Sequence, residues 1–258
     1  MPTLTNKVVL VTGSTSGIGY GIAEHFASLG ARVVVHGLDD GEAEETARRL
    51  RQGGRDTTAV GGDLRDPDAC RGIVRFAVEW AGRLDVLVNN AGITTRGRLE
   101  DATVEFWDTM MAVNLRAPFL CLQEAVKAMK AQAGGSIVNI GSVNAYIGAP
   151  NLGPYSVSKG ALMTLTRNAA AALNKYHIRV NQLNVGWTLT QGEDRVQQES
   201  GHGPDWLERA VAMMPSGRLL TPREIAAAAA YFAGDDSALI TGSVLDLEQY
   251  PVGALAEF

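Results

Sequence analysis

The chain has 258 residues, a formal net charge of -5, 46% hydrophobic and 20% charged residues, 29 glycines and two cysteines, with a sequence pI near 5.4. A mildly acidic chain without a basic run lacks the electrostatic footprint of a dedicated nucleic-acid binder or membrane-surface protein, so small molecules and further copies of the chain are the expected partners. The longest apolar run, Ile225 to Ala233, is far short of a membrane span, and Met1 to Lys7 lacks the basic-then-apolar plan of a secretory leader, so a cytoplasmic location is expected.

Lys7 to Val11 reads KVVLV, an apolar run of strand length, and it enters a glycine-rich turn at Thr12 followed by a helix over Gly17 to Leu29. The unit repeats. Strands are predicted at Arg32 to His36, Thr57 to Gly61, Val86 to Asn89, Ser136 to Ile140, Arg179 to Val185 and Ser243 to Leu247. Helices are predicted at Gly41 to Gln52 and at Pro67 to Ala81, and helical patterns lie between most of the later strands. Cys70 and Cys121 stand alone in helix-like stretches, which suits buried thiols rather than a disulfide framework or a CxxC metal or redox pair. Apolar strands alternating with amphipathic helices predict a doubly wound α/β fold of Rossmann type, a parallel sheet covered on both faces. No linker, repeat or low-complexity tract divides the chain, so one domain over residues 1–258 is expected, and the alanine bias at Ala226 to Ala230 is read as close helix packing. Trp187 to Met214 breaks the rhythm with polar, charged and glycine residues, as a substrate lid at about 187–215 would.

Thr12 to Gly19 reads TGSTSGIG between the first strand and the first helix. Residues without side chains let backbone N–H groups and the positive helix end approach a pyrophosphate, although glycine also serves purely structural turns. Asn89 to Gly92 reads NNAG after a strand, Asp63-Leu64 follows the third strand, and Tyr155 and Lys159 stand as YxxxK. On these four matches nearly the whole chain resembles the short-chain dehydrogenase/reductase family, with its TGxxxGIG turn. The resemblance implies a nicotinamide dinucleotide held by Gly13, Ser16, Gly17, Ile18, Gly19 and Leu38, by Asp63 and Leu64 at the adenine, and by Asn90, Ala91 and Gly92 between adenosine and nicotinamide. Tyr155, Lys159 and Thr188 complete that implied set. At the end of the second strand the chain reads His36-Gly37-Leu38-Asp39-Asp40. Gly37 takes the usual acidic position of NAD users, while Ser16 and Leu38 stand where NADP users carry Arg or Lys. Asp39 and Asp40 would repel a 2′-phosphate, so NAD is favoured over NADP, unless both aspartates merely open the next helix, where they suit its dipole.

Tyr155 and Lys159, four residues apart, share a helix face. Hydride transfer at an alcohol carbon needs a base for the hydroxyl proton, and a tyrosine near pKa ~10 serves poorly at neutral pH unless nearby cations favour its phenolate. Lys159 and the oxidised nicotinamide are expected to do so. Ser142 is expected to hydrogen-bond the substrate oxygen, and Asn114 resembles the family's fourth member, which helps hold a water near the lysine as a proton path. Each residue alone has an ordinary reading as a helix pair, cap or turn residue; their joint occurrence in family order is what carries the assignment.

Two departures stand out. Val185 replaces the usual proline before Gly186, next to Thr188, which by resemblance bonds the nicotinamide carboxamide. Glu248-Gln249-Tyr250-Pro251-Val252-Gly253 stands where relatives have an Asp-Gly-Gly turn, which alters either a subunit contact or the pocket. The substrate residues expected are Ser142, Asn144, Tyr155 and Trp187, with Thr94, Thr95, Arg96, Tyr146, Asn151, Leu152, Gln191, Glu193 and Arg195 as further pocket candidates. Their hydrogen-bonding character favours a small polar secondary alcohol, such as a sugar, polyol or hydroxy acid, over a long acyl chain. The leading expectation is an NAD-dependent dehydrogenase that assembles as a homotetramer. An NADPH-dependent ketone reductase, such as a 3-oxoacyl-thioester reductase, is the alternative, and a non-catalytic nucleotide sensor a remote one.

Overall fold

The computed structural model describes residues 3–146 and 148–251. Seven strands form one sheet in the order β3-β2-β1-β4-β5-β6-β7: β1 (Val8–Val11), β2 (Arg32–Gly37), β3 (Thr57–Gly61), β4 (Val86–Asn89), β5 (Gly135–Ser142), β6 (Ile178–Val185) and β7 (Val244–Leu247). Every neighbouring pair is parallel. All four residues of β1 and of β4 are buried, as strands covered on both faces must be, which is why they read as unbroken apolar runs. One apolar cluster, with Val9, Val33, Phe26 and Ala229, fills one side of the sheet, and another, with Leu10, Leu87, Ile137 and Cys121, fills the other. This is the expected Rossmann-like α/β fold.

The first helices are α1 (Gly17–Ser28), α2 (Asp40–Arg51) and α3 (Pro67–Ala81). Asp39 caps α2 by accepting from Glu42 N, and α3 starts at Asp66-Pro67 and stops at Gly82, whose φ of 75° few other residues adopt. Next come α4 (Val104–Met111), a π-helical turn (Ala112–Arg116), α5 (Ala117–Ala131) and α6 (Gly153–Leu173). Helix α9 (Pro222–Ala233) packs Ala226, Ala229 and Ala230 against the sheet and α1. A Cβ on Gly21 of α1 would sit 2.7 Å from Pro222 Cβ, so the alanine bias does serve close packing.

Two expectations are corrected. Ser142 is the last residue of β5 rather than a residue beyond it, because β6 runs to Val185 and pairs with it there. The supposedly irregular 187–214 stretch holds two helices, α7 (Gln191–Glu199) and α8 (Trp206–Ala212), the first nucleated by Thr190, whose hydroxyl accepts from Glu193 N. Cys70 and Cys121 are both buried and free, and the Cys121 thiol donates to Cys70 O at 3.4 Å. Among the described residues no helix is long and apolar enough to cross a membrane.

The order of strands reverses between β1 and β4, and a crevice opens at the carboxyl ends there. The glycine-rich turn and NNAG are the segments that leave those two strands, so the sheet itself brings them together.

Candidate active site

A cleft of about 1200 Å³ runs along the carboxyl end of the sheet. The residues the family resemblance assigns to the cofactor, together with Ser142, Asn144, Tyr155 and Trp187, all line it, from Gly13, Ser16 and Leu38 at one end to Asn144, Trp187 and Thr188 at the other.

The end of the cleft at the glycine turn is built from backbone. Gly13 and Gly17 have φ of 61° and 54°, and a Cβ on Gly19 would lie 2.1 Å from Gly13 O, so the cradle exists only with glycine. Asn90 Nδ2 donates to Thr12 O at 2.9 Å and Gly13 O at 3.0 Å, while Thr12 Oγ1 accepts from Asn90 N and Ala91 N, both at 3.0 Å. The Asn90 side chain thus ties NNAG to the glycine turn. His36, not singled out in the sequence, completes the brace: Gly13 N–H donates to Nδ1 at 3.0 Å, leaving Nε2 to donate to Gly62 O at 3.0 Å. Burial pushes the His36 pKa down from its usual value, which keeps the ring in the neutral form that these two bonds require.

Three charged residues near this end are already engaged. Asp39 caps α2, and Asp40 Oδ1 accepts from Gly61 N at 2.7 Å. Only Leu38 of the three residues after Gly37 lines the cleft, so the aspartates do open the helix. Asp63, expected at the adenine, has its carboxylate on Arg65 Nε at 2.8 Å and Nη2 at 2.5 Å. Arg65 lies two residues further along the same loop, and this pairing holds Asp63 below the usual carboxylate range.

At the opposite end, Tyr155 and Lys159 occupy the first two turns of α6 and are both buried. Ser142 Oγ accepts from Asn144 N at 3.2 Å and Asn144 Nδ2 at 3.3 Å, so Asn144 orients the serine. Lys159 Nζ donates to Ile140 O at 2.9 Å and lies 5.8 Å from the centre of the Tyr155 ring. Burial lowers the Lys159 pKa to about 8. Burial also raises Tyr155, the Ser142 hydroxyl pulls it back down, and the charge of Glu193 adds to the rise. The expected lowering by Lys159 is therefore not what this structure gives: the ammonium faces a carbonyl, and desolvation of the phenolate dominates.

Asn114 is fully buried in the π-helical turn, behind the cleft wall. Its Oδ1 accepts from Ile93 N and its Nδ2 donates to Ile93 O, both at 2.9 Å, with a further bond to Ser158 Oγ at 3.2 Å. The amide thus ties the chain just after NNAG to α6. Gly92 keeps the neighbourhood open, since a Cβ there would lie 3.3 Å from Asn114 Oδ1 and 3.5 Å from Lys159 Nζ.

The end of the cleft bordered by α7 and α8 is made of side chains. Trp187 Nε1 donates to Glu193 Oε1 at 2.8 Å, as does Gln197 Nε2 at 2.5 Å, and Trp187 packs on Trp206 with ring centroids 6.2 Å apart. Thr94, Arg96, Leu152 and Glu193 line the cleft, whereas Thr95, Tyr146, Asn151, Gln191 and Arg195 do not. Tyr146 is turned away to Asp246, 3.2 Å from Oδ1. Gln197, His202, Arg209 and Glu248 line it unforeseen.

The two departures prove to be linked. Val185 continues the ladder opposite Leu247, and Gly186 N donates to Leu247 O at 2.8 Å, so strand pairing fixes the backbone that proline would otherwise restrict. Thr188 is buried with its hydroxyl on Gly186 O at 3.0 Å. Gln249 accepts from Ser216 N at 3.0 Å and donates to Arg218 O at 2.7 Å, and Tyr250 Oη donates to Met213 O at 2.8 Å. The tail clasps the segment that follows α8. Val252 and Gly253 lie outside the described residues.

A family model described as enoyl-(acyl carrier protein) reductase matches residues 13–248. The chain is 36% identical to trans-4-hydroxycyclohexanecarboxylate dehydrogenase of Sinomonas cyclohexanicum, over 95% of this chain and 92% of that one. It is 35% identical to 2-(S)-hydroxypropyl-CoM dehydrogenase 3 of Xanthobacter autotrophicus, over 95% and 96%. Among solved structures it is similar to a gluconate 5-dehydrogenase from Burkholderia cenocepacia in complex with NADP and tartrate, with a TM-score of 0.90, 29% identity and 98% of each chain covered. The chain belongs to the short-chain dehydrogenase/reductase family. It is an oxidoreductase of the kind that acts on CH–OH groups and uses a nicotinamide dinucleotide.

Proposed function

We propose that this enzyme interconverts a small polar secondary alcohol and its ketone, with Tyr155 as the acid/base, Ser142 holding the substrate oxygen, Lys159 supplying positive charge beside the tyrosine, and Asn114 positioning the strand exit. The observation that carries the reading is the convergence of Ser142, Tyr155 and Lys159 on the same cleft as a turn that tolerates only glycine. The dinucleotide, when bound, supplies or accepts the hydride. The glycine turn, Leu64, Ala91 and Gly92 fit it because they leave backbone N–H groups and open space at a helix start. Tyr155 passes the hydroxyl proton to or from the substrate oxygen, and Ser142, set by Asn144, fixes that oxygen beside it. A polar substrate suits Arg96, Glu193 and Gln197 in the cleft and the hydroxylated substrates named for the relatives.

NAD is the favoured cofactor. After β2 the chain offers the 2′ end of the ribose Leu38 and no basic side chain, Asp39 and Asp40 being held at the start of α2 and by Gly61 N, and Arg65 is paired with Asp63. Arg65 nevertheless lines the cleft, and the Burkholderia gluconate 5-dehydrogenase is a complex with NADP; on these grounds an NADPH-dependent ketone reductase is the second reading. Titrating the protein side by side with NADH and NADPH decides between them. Tighter NADH supports the first, tighter NADPH the second, and binding of neither overturns both.

A homotetramer is part of the same proposal. Helices α4, α5 and α6 leave Val104, Trp107, Phe119 and Val157 between 42% and 70% exposed, an apolar surface of the sort that subunit contacts cover. Sedimentation showing four chains agrees with it, and a monomer contradicts it.

A further inference from the structure

Among the described residues, Arg96 lines the cleft with a buried guanidinium nitrogen that has no hydrogen-bond partner. The segment that carries it is fixed at both ends, at Ile93 by the Asn114 amide and at Gly97, whose N–H donates to Asn151 O at 2.8 Å beside the bridge to Leu152. Leu152 is three residues before Tyr155, so Arg96 rides on a rung abutting the start of α6. Its side chain is 24% exposed, and its nearest charged partner, Glu193 Oε1, lies 3.8 Å from Nη2, well beyond the ~2.7–2.9 Å of a charge-assisted hydrogen bond. Among the described residues its Nε is buried without any hydrogen-bond partner. Glu193 does not close on the guanidinium because the same oxygen is already held by Trp187 and Gln197. A mostly desolvated guanidinium with an empty donor edge is costly unless an acceptor completes it.

Resting on the oxidoreductase reading above, we propose that the cleft selects a substrate carrying a carboxylate, a hydroxy acid or the matching oxo acid, and that Arg96 is the residue that reads it. The planar two-oxygen group matches the Nε and Nη2 edge of arginine, which a neutral hydroxyl or an ester does not. Glu193 balances the guanidinium while the cleft holds no anion and yields it to the substrate without leaving its own hydrogen bonds. Arg96, Glu193 and Tyr155 line the same cleft, so the carboxylate and the reacting carbon belong to one bound molecule.

The test titrates cyclohexanecarboxylate and cyclohexanecarboxamide into the wild-type enzyme and its NADH complex, read by tryptophan fluorescence, since Trp187 bonds to Glu193. The acid is expected to bind at least about tenfold more tightly than the amide, as a charge-assisted pair contributes. R96Q is expected to erase that preference and R96K to restore part of it, with NADH affinity as the control for folding. Equal binding of acid and amide, no saturable binding of either, or an acid preference that survives R96Q overturns the proposal. Failure of NADH to bind is read separately and counts against the oxidoreductase reading, because the acid–amide comparison is also made without it.

Discussion

The two ends of the cleft are made by different means. The dinucleotide end is an arrangement of backbone, in which three glycines leave room and His36, Thr12 and Asn90 lock the turns of β1, β2 and β4 together. The other end is an arrangement of side chains, Trp187 and Gln197 on Glu193 within one stretch and Gln249 reaching back to Ser216 and Arg218. A site of the first kind is rigid and indifferent to substrate, whereas one of the second kind is open to change one side chain at a time. That contrast explains how relatives sharing a fold carry different substrate names.

Breaking the first end should cost most. In Gly19→Ala the new Cβ meets Gly13 O at 2.1 Å, so the turn must shift. We expect a loss of about 1–3 kcal/mol of stability, seen as a lower Tm, together with a dinucleotide Kd raised by about tenfold or more, since the backbone donors are displaced. An unchanged Kd would mean that the turn is not the cradle.

The pH dependence sharpens the middle of the cleft. Tyr155 is held above its ordinary value by burial, so the phenolate that alcohol oxidation needs is scarce at neutral pH. Oxidation kcat/KM should climb by up to about tenfold per pH unit on the alkaline side as the buried Tyr155 phenol ionises. Ketone reduction draws on the protonated phenol and should not rise. Matching profiles in the two directions would contradict the assignment of Tyr155.

The smallest effect is expected at the clasp. Gln249→Ala removes the bonds to Ser216 and Arg218. Because these are solvent-accessible, the loss should be about 1 kcal/mol, with a several-fold rise in substrate KM and little change in dinucleotide Kd. A change confined to dinucleotide binding would show that the tail serves the other end.

The same contrast governs what could be read from the sequence. Strands β3 and β4 and helix α3 fall where periodicity and turn chemistry put them, because an apolar run and the Asp66-Pro67 start are local signals. The glycine turn was legible because steric demand leaves glycine no substitute. The lid helices were missed although Thr190-x-x-Glu193 carried a capping signal, since the polar composition masked the periodicity. His36 could not be found, because a histidine at a strand end says nothing of Gly13 and Gly62 until the sheet brings them to its two nitrogens. Arg96 was legible as a candidate but not as an unsatisfied donor, a property only of the packed cleft.

The central claim is that Tyr155 moves the substrate proton beside a dinucleotide held elsewhere in the cleft. Pre-steady-state hydride transfer in Tyr155→Phe, measured by nicotinamide absorbance alongside NADH affinity, tests it most directly. The account predicts a rate lower by about 10²–10⁴-fold with NADH affinity retained, and transfer at the wild-type rate in the folded variant would contradict it.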